Sequence, residues 1–353
     1  MEKFAFIFHP LSVKDMAHVC PVFRYLPDRW IENLIKLKGP YKVSHITGLK
    51  SPLSEAEGWF VGIPLTARQF VELPEEFVMD RIIEAGHIAE SLGAGVVGLG
   101  AFSSIVGDGG LTVAKNLNIA VTSGNSYTVA SALEAVTEAV HLMGKQLQDC
   151  RTVVVGATGS VGSAAAKLLA ERVPHLTLVA RHREPLENLA QQLQGSTVVE
   201  ISDQVQRVLS RGDIVLTVTS ALDCLIDPGD LKPGAVVCDV ARPRNVAREV
   251  TLERPDVLVI EGGVIRLPGQ IHFGFNFGFP PNTSYACMAE TMLLALSRRY
   301  ENYSLGRNLQ VEKVREIGEL AKQHGFKLAG FRNFDRVITP EEIAQIRHNA
   351  GIC

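Results

Sequence analysis

Two stretches of this 353-residue sequence hold residues able to do chemistry. The first is NTSYACMAETMLL, residues 282–294, where Cys287 is followed three positions later by Glu290. Residues three apart on a helix share a face, so the pair suits a thiol nucleophile and its proton acceptor. A cysteine in a helix's first turn also feels the positive end of the helix dipole, which favours the thiolate. Asn282, Thr283 or Ser284, after Pro280 and Pro281, is the expected N-cap. The plainer reading makes Cys287 a small packing residue and Glu290 the polar group that satisfies one edge. Residue types alone leave both readings open.

The second stretch is VVVGATGSVGSA, residues 153–164. It reads strand, glycine turn, helix, which is the order a dinucleotide fingerprint needs. Gly156 permits the tight turn, Gly159 lets backbone approach a pyrophosphate, and Gly162 lets helix and strand pack closely. Thr158, Ser160 and Val161 fill the turn and open the helix, whose N-terminal N–H groups attract phosphate. The next strand ends VARHR, residues 179–183, with Arg181 and Arg183 where an NAD enzyme carries an acid. Guanidinium there suits a 2′-phosphate, so the expected cofactor is NADPH. Thr219 and Gly263, at later strand ends, are placed beside the nicotinamide.

Ser103 and Ser104 in GAFSSIVG, with Asn125 and Ser126 in TSGNSYT, are the candidate substrate-binding residues. Their alternative role is helix capping, for which Ser126 or Thr128 is the expected N-cap of the helix that follows. No Lys–Asp pair of the hydroxy-acid dehydrogenase kind is presented, because Lys115 and Asp108 lack the strand and helix that would aim them.

These residues need elements to position them. Between about 127 and 265, apolar strands alternate with helices, which implies right-handed crossovers and a parallel sheet. The expected fold is α/β: a Rossmann-type doubly wound parallel sheet plus a smaller α/β domain, with C-terminal helices packing back into the interdomain cleft. The expected divisions are an N-terminal α/β substrate-binding domain over 1–126, the NADPH-binding domain over 127–265, and a returning helical segment over 266–353. A net charge of −3 gives no strong pull toward nucleic acid or an anionic membrane. No apolar run is long enough for a spanning helix. MEKFAFIFHPLS reads as a first strand rather than a signal peptide. Six scattered cysteines without a C-x-x-C pair signal neither zinc nor a redox dithiol, and fit the cytoplasm.

In order along the chain, GLGAFSSIV, TSGNSYT, VVVGATGSVGSA, VAR, VIEGGV, SYACMAETMLL and YSLGRNLQVEKVREIGELAKQHGF resemble segments of the cyanobacterial long-chain acyl-[acyl-carrier-protein] reductases. The likeness runs from about residue 4 to 329, and the A-C-x-A-E and H-G-F blocks are its most specific parts. The resemblance implies that Cys287 accepts an acyl group from a fatty acyl thioester and that NADPH then reduces the acyl-cysteine to a fatty aldehyde. It implies acyl-carrier-protein or acyl-CoA as the substrate partner and an aldehyde-consuming enzyme downstream. Magnesium accompanies the family's activity, although no carboxylate cluster here calls for a metal. The Phe/Gly-rich RLPGQIHFGFNFGFPPNT, residues 266–283, departs from the family and is a candidate lining for the acyl channel. The tail after about 330 extends beyond the family pattern. Two other readings stand: a shikimate- or quinate-dehydrogenase-like oxidoreductase working without a cysteine, and a non-catalytic NADPH- or acyl-binding protein.

Overall fold

The computed structural model describes residues 1–15, 21–195, 197–221, 224–275, 278–334 and 336–352. The chain forms two compact units. One comprises residues 1–125, 266–307 and 319–327, and the other 126–265, 308–318 and 328–353. The stretch after 265 is thus shared between the two.

In the first unit, β1 (Glu2–Phe8), β2 (Tyr41–Lys50), β3 (Glu55–Gly62), β4 (Val96–Leu99) and β5 (Ala120–Thr122) join an edge strand, Gly269–His272. The sheet order is Gly269–His272, β2, β3, β1, β4, β5. Strands β3, β1, β4 and β5 run parallel, while β2 and the edge strand are antiparallel additions. Helix Glu75–Ser91 and a core of Ile7, Val61, Val97 and Val121 cover one face. The apolar helix Ala286–Leu296 packs against β1, β3 and β4. Gly98 of β4 permits that approach, since a Cβ there would lie 2.0 Å from Thr291 Oγ1.

The second unit is the expected Rossmann-type sheet. Its strands are β6 (Arg151–Val155), β7 (His175–Val179), β8 (Val198–Ser202), β9 (Ile214–Thr217), β10 (Val236–Asp239) and β11 (Leu258–Glu261). All pair in parallel in the order β11-β10-β9-β6-β7-β8, which is the doubly wound order. Their residues are near-continuous Val, Ile and Leu because both faces are covered. The core runs from Val129 and Val136 of helix Asn125–Leu142 and Met143 just after it through Val154, Leu169 and Leu216. The short terminal helix begins at Pro340, with Thr339 in a full capping box.

Several local expectations are corrected. Helix Asn125–Leu142 starts at Asn125, so Ser126 and Thr128 sit inside its first turn rather than at its cap. Ser126 is buried there. Asn282, Thr283 and Ser284 do not cap the cysteine helix, whose N-cap is Tyr285. Thr283 and Ser284 lie in an extended segment, their hydroxyls donating to the Pro280 and Tyr285 carbonyls. Asn282, at φ +57°, instead accepts the Ile271 N–H at 2.8 Å through Oδ1. Extended backbone before the helix competes successfully with a capping turn.

Candidate active site

The glycine turn follows β6 at the point where strand order reverses, the crevice in which doubly wound sheets bind ligands. Gly156 has φ +88°, a left-handed conformation open to glycine. Thr219, just past β9, packs on it, so that a Cβ at Gly156 would lie 3.0 Å from Thr219 Cγ2. A Cβ at Gly162 would lie 2.1 Å from the Gly156 carbonyl oxygen, so only glycine lets helix Ser160–Ala170 come this close. At Gly159, the helix N-cap, a Cβ would meet only that same oxygen at 3.4 Å. The outward side is therefore open, and no side chain caps the helix. Thr158, Ser160 and Val161 are half-buried around this cradle. Its open side and its helix dipole suit a pyrophosphate.

The basic strand end splits in two. Arg181, two residues past β7, is exposed. Arg183 opens the following helix and donates through Nε to Glu187 at 2.8 Å, an i,i+4 ion pair. Gly263, at φ +76°, is buried just past β11.

Sequence reasoning missed the hub behind this edge. Asn245, fully buried after β10, accepts at Oδ1 from Thr217 Oγ1 at 2.8 Å, Thr219 N–H at 3.2 Å and Thr219 Oγ1 at 2.8 Å. It thereby fixes the strand end that packs on Gly156. Asp239 orders the same loop by accepting the N–H groups of Ala241, Asn245 and Val246 at 3.0, 2.9 and 3.1 Å. Burial pushes the Asp239 carboxyl up to about 6, against the opposing pull of Arg242. Glu261, on the neighbouring strand end, is clamped by Arg242 at 3.0 Å and Arg244 at 2.7 Å. No local motif announces the roles of Asn245 and Glu261, because their partners lie 17 to 28 residues away in neighbouring strand–helix repeats.

The thiol site lies in the other unit. Ten of the eleven residues of helix Ala286–Leu296 are buried, and the exception is Cys287. The cysteine occupies the second helical position, within the first turn. Gly124 of the TSGNS turn abuts it: a Cβ at Gly124 would lie 2.3 Å from Cys287 Cα and 2.4 Å from its Cβ. Gly124 also has φ +74°. Glu290 is fully buried one turn on. Its Oε1 accepts from Thr122 Oγ1 at 2.5 Å and from Ser304 Oγ at 2.6 Å. Thr122 Oγ1 in turn accepts the Gly124 N–H at 3.1 Å, and Ser123 donates to the Ser304 carbonyl. Glu290 therefore joins three chain segments around the thiol: the end of β5, the cysteine helix and the YSLGR stretch. The contributions of Thr122 and Ser304 were missed, although both lie in blocks that the sequence singles out.

Strands β1, β4 and β5 end on this same edge. Ser103, buried, and Ser104, half-buried, follow β4, and their hydroxyls donate locally to the Gly100 and Ala101 carbonyls, each at 2.7 Å. Half-buried Asn125 adjoins Gly124. His9, past β1, was also missed. Its Nε2 accepts the Phe102 N–H at 3.1 Å while Nδ1 faces the Pro10 carbonyl at 3.0 Å, so the ring is neutral. Burial holds it down to about 4. His9 thus secures the loop that carries both serines.

The other described cysteines contrast with Cys287. Burial pushes the Cys150 thiol up to about 11 and raises that of Cys238 too, which keeps both inert. Cys224 is exposed, and Cys20 and Cys353 lie outside the described residues. Among the described residues, no group of three or more His, Cys, Asp or Glu is placed to hold a metal. No helix of these residues is long and apolar enough to cross a membrane.

Residues 137–261 match the family model for shikimate/quinate 5-dehydrogenase. The chain is 31% identical to aminotransferase PigE of a Serratia species over 98% of its own length, but spans only 42% of that relative. It is 29% identical to the long-chain acyl-[acyl-carrier-protein] reductase of Synechococcus elongatus over 77% of this chain and 81% of that one. Over 43% of this chain and 36% of the relative it is 28% identical to glutamyl-tRNA reductase of a Cyanothece species. These matches relate the chain, at a distance, to dehydrogenase-like reductases with a Rossmann-type nucleotide-binding unit.

Proposed function

We propose that this protein is a nicotinamide-dependent oxidoreductase that reduces a fatty acyl thioester, carried by acyl-carrier-protein or coenzyme A, to a fatty aldehyde through an acyl-Cys287 intermediate. The observation that carries the reading is the exposure pattern of helix Ala286–Leu296. A packing cysteine would be buried with its ten neighbours, whereas Cys287 is the residue left accessible, in the dipole-favoured first turn. The likeness to the Synechococcus reductase over most of both chains supports the substrate class.

The Cys287 thiol gives up its proton, and its sulfur bonds to the acyl carbon. The bond from that carbon to the carrier sulfur breaks, and the carrier leaves as a protonated thiol. Exchange of one thioester for another is near thermoneutral, so positioning supplies most of what is needed. Glu290 acts as a positioning residue, holding the cysteine helix against Thr122 and Ser304. Asn125, beside Gly124, with Ser103 and Ser104 on the same sheet edge, forms the substrate and oxyanion side. When bound, NADPH would supply the hydride that turns the acyl-Cys287 thioester into aldehyde, and the departing Cys287 thiolate would regain a proton from solvent. Gly156, Thr158, Gly159, Ser160, Val161 and Gly162 would hold its pyrophosphate, Arg181 its 2′-phosphate, and Thr219 and Gly263 would flank its nicotinamide end.

The test is intact-mass analysis after incubation with acyl-carrier-protein or acyl-CoA thioesters. Wild type should gain one acyl group, and Cys287→Ala should gain none. An undiminished adduct on Cys287→Ala would overturn the reading. Turnover of shikimate or quinate by that variant would instead favour a polyol dehydrogenase, the reading that the 137–261 match supports.

A further inference from the structure

Large exposed apolar side chains are scattered singly over most of the described chain, but residues 22–37 gather several of them. The eight-residue helix Asp28–Ile35 lies at their centre. Its inner face buries Ile31 and Ile35 against Val13. Its outer face presents Trp30, 69% exposed, and Leu34, 56% exposed, with Leu37, 76% exposed, at the next position of the same stripe. Tyr25, 87% exposed, precedes the helix. An apolar stripe on the solvent side of a helix whose other stripe already reaches a core is a surface awaiting a partner.

The charges beside it indicate which partner. Arg29 and Lys38 are exposed and Lys36 half-buried, whereas the exposed acid among residues 28–38 is Asp28. Glu32 does not offset them, because it is buried and bound by Thr66 and Arg68. The face is therefore locally basic on a chain whose net charge is −3. Trp, Tyr and Leu flanked by Lys and Arg are the side chains that seat a helix in a lipid headgroup layer. Two copies of this face would bring like charges together. We infer that residues 25–38 dock the protein on an anionic lipid surface, with Trp30, Leu34 and Leu37 entering the headgroup layer and Arg29, Lys36 and Lys38 facing the lipid charge. The inference is independent of the role assigned to Cys287.

The chain's two tryptophans make the test direct, since Trp59 is 7% exposed and Trp30 is the one that a surface would cover. Full-length protein is mixed with vesicles of phosphatidylcholine alone or with added phosphatidylglycerol, and emission and co-sedimentation are read. The expected result is a blue shift and co-sedimentation with phosphatidylglycerol vesicles that weaken as salt rises. Replacing Arg29, Lys36 and Lys38 together by Ala should lower the apparent affinity about a hundredfold. Trp30→Ala should abolish the shift, and Leu37→Glu, outside the helix and so harmless to its folding, should reduce co-sedimentation. Equal binding to neutral vesicles, or none to anionic ones, would overturn the inference. So would a shift that follows protein concentration without lipid, which means a second copy, or one produced by acyl-carrier-protein and not by vesicles.

Discussion

The two units build their candidate sites in opposite ways. In the nucleotide-binding unit the cradle is one contiguous stretch, Gly156–Gly162, shaped by three glycines and the start of the helix that follows. In the thiol unit the site comes from segments far apart in the chain: His9, the loop at 100–104, the turn at 122–125, the helix from Ala286 and the stretch around Ser304. A contiguous site needs only the right local turn, so it recurs across many proteins. A dispersed site depends on every segment arriving, and so it is the more easily broken by a single substitution.

Gly124→Ala is the sharpest way to break it. The new Cβ would sit 2.3 Å from Cys287 Cα, backbone that cannot swing aside, at a residue with φ +74°. Left-handed backbone and overpacking together should cost about 2–5 kcal/mol. Thermal unfolding should show that loss, and Cys287 acylation should vanish by mass analysis while cofactor binding persists. Retained acylation at wild-type stability would mean that the turn and the cysteine helix do not meet as described.

Titration separates the units next. His9 has a folded value of about 4 against an ordinary 6.5, so between those limits the unfolded chain binds more protons. Its contribution is complete above about pH 6.5 and is lost toward pH 4, about 3 kcal/mol in all. Asp239 runs the other way: raised from 3.8 to about 6, its contribution is complete below pH 3.8 and is lost as pH climbs through about 6. That too is about 3 kcal/mol. Acidification from pH 6.5 to 4 should therefore loosen the loop at 100–104 and firm the loop at 239–246, read by hydrogen exchange in each. His9→Gln should flatten the first response and Asp239→Asn the second. Identical responses in both variants would remove the contrast.

The same difference decides what was legible in the sequence. The Rossmann order follows from strands at regular spacing, and the glycine roles from their distances to one another, because both are local. Cys287 is recognisable as a first-turn cysteine, yet its accessibility among buried neighbours is a tertiary fact. Glu290 reads from spacing as the thiol's face-mate, but its hydroxyl partners Thr122 and Ser304 lie 168 and 14 residues away. The β2–β3 hairpin escapes a period-two reading because its register shifts between Lys42 and Ser44 and again between Ile46 and Leu49. Asn245 and His9 look ordinary in sequence, since their roles come from the donors that the folded chain aims at them.

The smaller tests fall on the contiguous site. Gly162→Ala would place a Cβ 2.1 Å from the Gly156 carbonyl oxygen and should cost about 1–3 kcal/mol. Its signature is the mirror of Gly124→Ala: weakened cofactor binding, with Cys287 acylation kept. Arg181 gives the finest discrimination. It stands exposed past β7, while Arg183 is already held by Glu187. A guanidinium paired with a 2′-phosphate in partial solvent should contribute a little over 1 kcal/mol, so Arg181→Ala should raise KM for NADPH roughly tenfold. NADH has no phosphate at that position, and its KM should hold. Arg183→Ala, losing a side chain committed to its own helix, should move neither. If Arg181→Ala weakened both cofactors alike, the basic strand end would be a solvated loop and the proposed choice of NADPH would fall.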